Sequence, residues 1–286
     1  MSITSSAVLV EMNISVWTAS KLDRVATNTV ISDNQATFDA AQVHKNLMAG
    51  TTERKEIADY AAGCRLWHNT RTLAWADKGV RLLPTSSFLD YKSEANFRRD
   101  TFHNMIDRFC VTYPDWLDRQ VQGHKALGKL FDLTDYPSAA EVRSKFGFRL
   151  VFSPVPESGD FRVDVPKHDL DEMRQEYDEA FETRVADAMR GPWDMLHKML
   201  AGMSDKLVES DDDTKKRWHD TFVTNAVDLC ALLTHLNVTK DPALEQARKQ
   251  LENTMRGADI DDIKADPLVR SDLKDKLDAI LNKYEW

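Results

Sequence analysis

Cysteine is scarce in this sequence. The 286 residues contain three, Cys64, Cys110 and Cys230, far apart along the chain. Scattered single cysteines form neither a disulfide framework nor the paired spacing of a structural zinc site. We therefore expect free, buried thiols and a reducing compartment, which points to the cytoplasm.

Long apolar runs are also missing. No stretch approaches the roughly 18 apolar residues that a membrane span needs. Residues 1–15 lack a basic leader, and Glu11 and Asn13 interrupt their apolar run. We expect neither a membrane span nor a signal peptide. An apolar fraction of 42% and a charged fraction of 30% are typical of a globular protein rich in helix.

The chain carries fewer positive than negative residues, and this difference is distributed unevenly along the sequence. The net charge is −9, and residues 150–286 hold 19 Lys and Arg against 30 Asp and Glu. Residues 51–149 are mildly basic, with 16 against 13. An acidic chain repels polyanions over a long range, which argues against broad nucleic-acid binding. A local site in the basic middle region stays possible.

The signature motifs of catalysis are missing as well, since neither G-x-S-x-G nor H-E-x-x-H occurs. GHKALGKL (123–130) has P-loop spacing, but Leu130 stands where that loop needs Ser or Thr, and a predicted helix precedes it instead of a strand. Cys64 and His68 share one helix face and His103 and Cys110 another, so together they could supply four metal ligands, but the spacing does not resemble a CxxC knuckle and such residues on apolar helix faces usually belong to the core. We expect no catalytic residues, no cofactor and no metal.

Helical periodicity dominates what is present. Apolar residues recur at three- and four-residue intervals, which indicates amphipathic helices. We expect Pro114 to end one helix and Gly191-Pro192 to kink or split another. Residues 73–87, with Gly79 and Pro84, are predicted to form a loop. The predicted helices are 18–26, 35–48, 51–72, 87–112, 115–127, a short helix capped by Ser138, 168–207, 218–236, 242–256 and 268–284.

Two segments alternate with a period of two, which predicts strands. They are Val8–Trp17 and residues 147–166, GFRLVFSPVPESGDFRVDVP, which read as a hairpin. An isolated hairpin is marginal in water, so we expect Val8–Trp17 beside it. The fold class is then α+β and predominantly α-helical, with a small antiparallel sheet made of the N-terminal strand and the central hairpin. Residues 1–166 would form this mixed core, and 167–286 an acidic C-terminal helical bundle layer packed on it as one unit.

Cations interleave with tryptophans in the basic middle region, in RLWHNTRTLAWADKGVRLLP (65–84). Aromatic rings can stack single-stranded bases while arginines and lysines pair with phosphates. The alternative is that the tryptophans pack in the core and the arginines pair with the acidic C-terminal half. The candidate nucleic-acid-binding residues are Arg65, Trp67, Arg71, Trp75, Lys78, Arg81, Arg98, Arg99, Arg149 and Arg162.

Several short motifs resemble a family of tailed-bacteriophage proteins known only as a domain of unknown function. The motifs are NISVW, W-x₃-R-T-L followed by G-x-R-L-L-P, LGKLFDLTDYPS, FSPVPESGDFRV and LNVTKDP, which together span most of the chain. The resemblance implies a phage protein that acts in the host cytoplasm, in the neighbourhood of phage replication and recombination. It implies no catalytic residue.

Three functions follow as expectations. The first is a non-catalytic binding or assembly protein of phage DNA metabolism, which self-associates into a homo-oligomer and binds single-stranded nucleic acid through the basic aromatic segment. The second is an adaptor whose acidic helices bind a host factor or a partner ATPase. The third is a metal-dependent enzyme that uses Cys64, His68 and His103.

Overall fold

Helices account for most of the computed structural model, which describes residues 3–76, 79–123, 125–157, 166–208 and 221–286. The helices in the described residues are α1 (Ile3–Ser6), α2 (Arg24–Asp33), α3 (Glu53–Thr70), α4 (Phe88–Val121), α5 (Ala139–Ser144), α6 (Lys167–Leu207), α7 (Thr221–Leu236), α8 (Pro242–Met255), α9 (Ile260–Ala265) and α10 (Pro267–Leu281). The predicted α+β class with helix predominating is confirmed.

Two small sheets complete the fold of the described residues. Strands β1 (Ala7–Ser15), β4 (Leu73–Ala74), β5 (Val80–Pro84) and β6 (Gly147–Ser153) form one sheet in the order β4-β5-β1-β6. Strands β2 (Ser20–Leu22) and β3 (His44–Asn46) form the other, with antiparallel pairing. The N-terminal strand therefore lies beside the first arm of the predicted hairpin, as expected. The second arm, 158–165, lies outside the described residues.

The predicted loop at 73–87 is wrong, because it contains β4 and β5. Both strands pair antiparallel, with Leu82 opposite Leu9 of β1 on one side and Leu73 of β4 on the other. Gly79 and Pro84 read as breakers in the sequence. In the structure Gly79 has φ +84°, just before β5, and Pro84 ends that strand, where a missing N–H is tolerated.

The predicted helices 18–26 and 35–48 are also wrong. Ala19 and Gln35 adopt left-handed φ values of +51° and +48°, which interrupts helical geometry. Between them Asp23 accepts the backbone N–H of Ala26 and caps α2, so a helix does form there, with shifted bounds. Lys45, predicted on a helix, lies on β3.

Two prolines do not end the helices that contain them. Residue Pro114 lies inside the 34-residue helix α4, and Pro192 inside the 41-residue helix α6. The expected end at Pro114 is wrong, and Gly191-Pro192, which was expected to kink or split its helix, does not split it. Each proline removes one backbone donor, but Tyr113, Trp116 and Leu196 next to them are buried, and this packing outweighs the local preference.

The chain folds as two compact units made of non-contiguous segments. The first unit comprises Met1–Glu11, Asn69–Tyr91 and Val151–Trp286, and the second comprises Met12–His68 and Lys92–Leu150. This division differs from the expected boundary at residue 166. The physical reason is that strand pairing joins the start of the chain to residues 73–84, a long-range contact that local patterns do not reveal.

In the first unit, α6, α7, α8 and α10 contact one another and form the predicted C-terminal bundle. Its core contains Leu196, Leu200, Leu233, Leu251 and Leu277, none of which is exposed to solvent. These residues recur at helical spacing, which is why the sequence predicted this bundle. The start of the helix predicted at 218–236 lies outside the described residues.

The second unit has an aromatic core. Phe102, Phe109 and Tyr113 of α4 pack with Trp17 and Trp116, and the hydroxyl of Tyr113 donates to the carbonyl of Pro137 at 2.9 Å. The predicted cap is confirmed nearby, since Ser138 and Glu141 form a reciprocal capping box at the start of α5. A core this rich in rings holds α3, α4 and α5 of the second unit together.

An acid-sensitive ion pair lies in the first unit. On α8, Arg248 donates to Glu245 from both Nε and Nη2 at 2.9 Å, and to Glu252 from Nη1. Hydrogen bonding to Arg248 lowers the pKa of Glu245 from 4.5 to about 2. A carboxyl group whose pKa is lower in the folded state than in the unfolded state stabilises the fold. This stabilisation is complete above the unfolded-state pKa and is lost as the pH falls through the folded-state pKa.

We therefore expect Glu245→Gln to lower the free energy of unfolding near neutral pH, and the difference from the wild type to disappear as the pH falls from 4.5 towards 2. Because the Glu245 side chain is 34% exposed, the loss should stay below about 1 kcal/mol. Urea denaturation at several pH values measures it. The control Glu182→Gln, at an exposed position, should show no such pH dependence.

Candidate functional site

The ten candidate nucleic-acid residues divide between the two units. In the first unit Trp75 is 7% exposed and packs edge-to-face on Phe181, with ring centroids 5.4 Å apart. A ring buried in this way cannot stack on a base, so its inclusion in the site is wrong. The burial of a single tryptophan cannot be deduced from a segment without helical or strand periodicity.

Arg81 of β5 is hydrogen-bonded to the segment that connects α3 to β4. Its Nε donates to Oγ1 of Thr72 at 2.6 Å, and its Nη2 donates to the carbonyls of Asn69 and Thr72. Burial lowers the pKa of Arg81. This arginine serves the local structure of the first unit, and we remove it from the candidate site. Arg71 is exposed, while Lys78 and Arg162 lie outside the described residues.

In the second unit α3 and α4 carry four of the candidates, and two of these, Trp67 and Arg98, are in contact. The guanidinium carbon of Arg98 lies 4.8 Å from the centroid of the Trp67 ring, which is cation–π distance. The Nε of Arg98 lies 2.8 Å from a carboxylate oxygen of Glu94. Arg99 follows on α4, and Arg65 of α3 donates to the carbonyl of Ile14 at 2.7 Å.

Two exposed apolar side chains adjoin this pair in the sequence, Leu66 at 66% and Phe97 at 65% exposure. We call the six residues the Trp67–Arg98 cluster; they are Arg65, Leu66, Trp67, Phe97, Arg98 and Arg99. The six residues include an exposed ring, a partly exposed indole and three cations, and the contact of Arg98 with Trp67 joins α4 to α3. Arg149, the remaining candidate, is exposed on β6.

The thiols suit a core role better than a catalytic one. Burial raises the pKa of Cys64, Cys110 and Cys230, and for Cys230 the value reaches about 11. Thiols with raised pKa values stay protonated near neutral pH, and the thiolate is the reactive form. Among the residues that the structure describes, no three His, Cys, Asp or Glu side chains converge as metal ligands.

The P-loop-like segment, residues 123–130, follows a helix, as the sequence predicted. Helix α4 precedes it, not a strand, and the chain turns at Gly123 with φ +121°. Gly128 then begins a short 3₁₀ turn, Gly128–Leu130, with φ +54°. The segment contributes Lys129 and Leu130 to the wall of a cavity.

That cavity, which the sequence did not predict, has a volume of about 1120 Å³ and lies within the second unit. Lys45 forms part of its wall and is 8% exposed. Its ammonium group pairs with the carboxylate of Asp135, lies 3.5 Å from that of Asp23 and donates to the carbonyl of Leu130 at 3.3 Å. Asp135, as the nearest hydrogen-bond partner, raises the pKa of Lys45.

Long-range pairing explains why the sequence concealed this cavity. Lys45 lies ninety positions from Asp135 along the chain, and no motif links two single charged residues over such a distance. The sequence offers one hint that residues 35–48 are not a helix. Phe38 and Val43 do not follow the three- and four-residue spacing of a helical apolar stripe. We call this site the Lys45 cavity.

Comparison with known proteins adds nothing to these observations, since no family, no curated protein and no solved structure matches the chain. The resemblance to tailed-bacteriophage proteins therefore stays a prediction. No helix in the described part of the chain has the length and apolarity that crossing a bilayer requires.

Proposed function

We propose that this protein is a non-catalytic, self-associating binding protein of phage DNA metabolism, which acts in the host cytoplasm and contacts single-stranded nucleic acid through the Trp67–Arg98 cluster. The observation that carries the nucleic-acid part is the position of the Arg98 guanidinium over the Trp67 ring, 4.8 Å from its centroid, with the exposed Phe97 as the preceding residue of α4. Base stacking on aromatic side chains needs accessible rings beside cations.

The charge distribution supports the second unit as the binding unit. Its segments, 12–68 and 92–150, hold 16 Lys and Arg against 14 Asp and Glu, whereas the first unit holds 22 against 33. Polyanions are attracted by local positive charge and repelled by negative charge within a Debye length. A nucleic-acid strand should therefore approach the second unit and avoid the acidic helices of the first.

The phage assignment is supported by the sequence motifs alone. The host factor or partner ATPase of the adaptor alternative has no such support from the geometry, and the metal-dependent enzyme is not favoured by any described cluster. Thiols that stay protonated, and a surface on which a cation lies over an aromatic ring, agree best with a non-catalytic binding protein.

The proposal predicts a salt-sensitive mobility shift of a labelled single-stranded oligonucleotide. We expect the triple change Arg65→Ala, Arg98→Ala and Arg99→Ala to abolish the shift at low salt. Each phosphate contact that is removed should reduce the slope of log affinity against log salt by about 1. Phe97→Ala should weaken binding by about 1–3 kcal/mol with an unchanged salt slope, because a stacking contact involves no counterion. Fluorescence anisotropy over a salt series measures both.

The matched control is Arg190→Ala, an arginine of the first unit that pairs with Asp187 and has a side chain 78% exposed. It should bind as the wild type does. Arg81 is unsuitable for either set because its loss would remove the hydrogen bonds that join β5 to Asn69 and Thr72. Wild-type affinity in the triple variant would refute the cluster as the site, and absence of any shift by the wild type at low salt would refute nucleic-acid binding.

A further inference from the structure

An apolar groove runs between two helices of the C-terminal bundle, α6 and α7, within the first unit. Its volume is about 500 Å³, and among the described residues its lining contains no carboxylate. The apolar side chains of the lining are buried or half-buried and pack on the core of the unit. They are Met195, Met199, Met203, Phe222, Leu229 and Leu232. Apolar surface gathered in one groove is typical of a binding site.

Three of these side chains are methionines that follow one another at four-residue spacing on α6. Methionine is unbranched and flexible, so it adapts to different apolar surfaces. Residues 195–206 border the groove and extend over about 16 Å at the rise of an α-helix, which is the length of about three turns. An apolar groove of this length suits the apolar face of an amphipathic helix.

Two lysines on α6 determine which charge the occupant should carry. Lys198 and Lys206 line the groove and are exposed, and neither forms an ion pair with another described residue. They are eight positions apart, which is about 12 Å along the helix axis. An amphiphile with one anionic head group can reach only one of them, because the head group is smaller than this distance. A helix with carboxylates two turns apart can reach both.

Gly202 lies halfway between the two lysines and also lines the groove. A Cβ atom added there would meet nothing within 4 Å, so the missing side chain leaves space over the middle of the groove. A side chain of the occupant can enter this space. Because Gly202 lies inside α6, a residue with better helix propensity can replace it without weakening the helix. A large residue at this position should therefore block the groove and leave the fold intact.

We propose that the groove between α6 and α7 binds an amphipathic helix of a partner protein. The apolar face of that helix lies on the methionines, and two of its Asp or Glu residues lie opposite Lys198 and Lys206. This surface is apolar and cationic, unlike the acidic helix faces expected of an adaptor. The inference goes beyond the proposed function and does not depend on it, since the Trp67–Arg98 cluster belongs to the second unit.

The test uses two labelled helical peptides and fluorescence anisotropy with the full-length protein. The acidic peptide carries leucines along one face and two glutamates eight positions apart beside that face, and the basic peptide carries lysines in place of the glutamates. We expect the acidic peptide to bind at least about tenfold more tightly at low salt, since the two groove lysines attract one peptide and repel the other. Added salt should reduce this difference because the charges are exposed.

Charge reversal and groove filling test the two parts of the contact separately. Lys198→Glu combined with Lys206→Glu should reverse the preference, so that the basic peptide binds more tightly than the acidic one. Gly202→Leu should weaken binding of the acidic peptide at least about tenfold, because the new side chain occupies the space of an apolar anchor. Circular dichroism establishes that both variants are folded.

Each variant has a matched control. Lys249→Glu combined with Lys276→Glu makes the same change of net charge in the first unit, at side chains that are 62% and 56% exposed and lie outside the groove. Gly63→Leu adds the same side chain at an exposed position of α3, where an added Cβ meets nothing within 4 Å. Both controls should bind the acidic peptide as the wild type does.

Several results would overturn the inference. Equal affinity for the two peptides, or no binding of the acidic peptide at low salt, would exclude a partner helix of this charge. Wild-type affinity in the charge-reversed variant or in Gly202→Leu would exclude the groove as its site. Dodecanoate tests the single-headed amphiphile: if it binds the wild type and not Gly202→Leu, while the acidic peptide does not bind, the groove holds an amphiphile. The oligonucleotide shift, assayed separately, decides the proposed function without affecting this result.

Discussion

Phe102→Ala is expected to lower the free energy of unfolding by about 3–5 kcal/mol, the range for truncating a buried phenylalanine. Phe102 is 0% exposed, and its ring packs near those of Phe146 and Phe148, at centroid distances of 6.5 and 6.0 Å. Removal of the ring leaves a cavity that surrounding rings cannot fill without leaving their own contacts. Such a loss approaches the whole stability of many domains.

The measurement is urea denaturation, combined with hydrogen exchange to locate the effect. Exchange should rise first in residues 12–68 and 92–150, the second unit. Phe97→Ala is the matched control, since it removes the same group from the same helix at a position 65% exposed, and it should change stability by less than about 0.5 kcal/mol. Equal losses in the two variants would contradict the burial of Phe102 in an aromatic core.

Lys45→Met is expected to cost about 3 kcal/mol, near the lower end for breaking a buried ion pair. The side chains of Lys45, Asp23 and Asp135 are only 8%, 11% and 12% exposed. Methionine has a similar volume but no charge, so the two carboxylates would face each other without a cation. The value lies at the lower end because the cavity admits water beside the group.

The pH dependence separates this electrostatic loss from simple loss of packing. In the wild type the pKa of Lys45 is raised above 10.5, chiefly by its hydrogen bond to Asp135. While the two carboxylates are ionised, its stabilising contribution is therefore complete below that value, and it is lost as the pH rises through the raised pKa. In Lys45→Met the deficit should shrink in acid, where the two carboxylates become protonated.

Two further variants serve as controls. Lys55→Met removes a lysine whose side chain is 72% exposed and paired with Asp59, and it should change stability by less than about 0.5 kcal/mol. The triple variant Lys45→Met, Asp23→Asn and Asp135→Asn should recover most of the loss, because no uncompensated charge remains. A deficit that does not vary with pH and is not recovered in the triple variant would contradict the buried ion-pair interpretation.

Local sequence patterns correctly predicted the helices and strands whose periodic apolar residues are the ones buried in the structure. The stripe of Leu196, Leu200, Met203 and Leu207 on α6 predicted a helix, and all four residues are buried. Alternation over Val8–Trp17 predicted β1, and Ser138 followed by Glu141 predicted the capped start of α5. In each case the residues that determine the element are close in the sequence, so their chemistry alone is sufficient.

The candidate site was predicted only in part, because exposure of a side chain depends on distant contacts. Trp67 and Trp75 lie in one aromatic, basic segment, yet Trp75 is buried in the first unit while Trp67 stacks with Arg98 of α4. No local pattern distinguishes the two tryptophans. The Lys45 cavity escaped prediction for the same reason, since its ion pairs join residues from three separate segments.

The sequence by itself determined the helical predominance, the C-terminal bundle, the N-terminal strand and the acidic character of residues 150–286, because composition and short-range periodicity suffice for these. The tertiary structure alone decided that β4 and β5 join the sheet, that α4 and α6 continue through their prolines, and that Lys45 is buried between two carboxylates. The physical reason is common to all three. Burial and pairing across the chain contribute more free energy than the local preference of a glycine, a proline or a single charged residue.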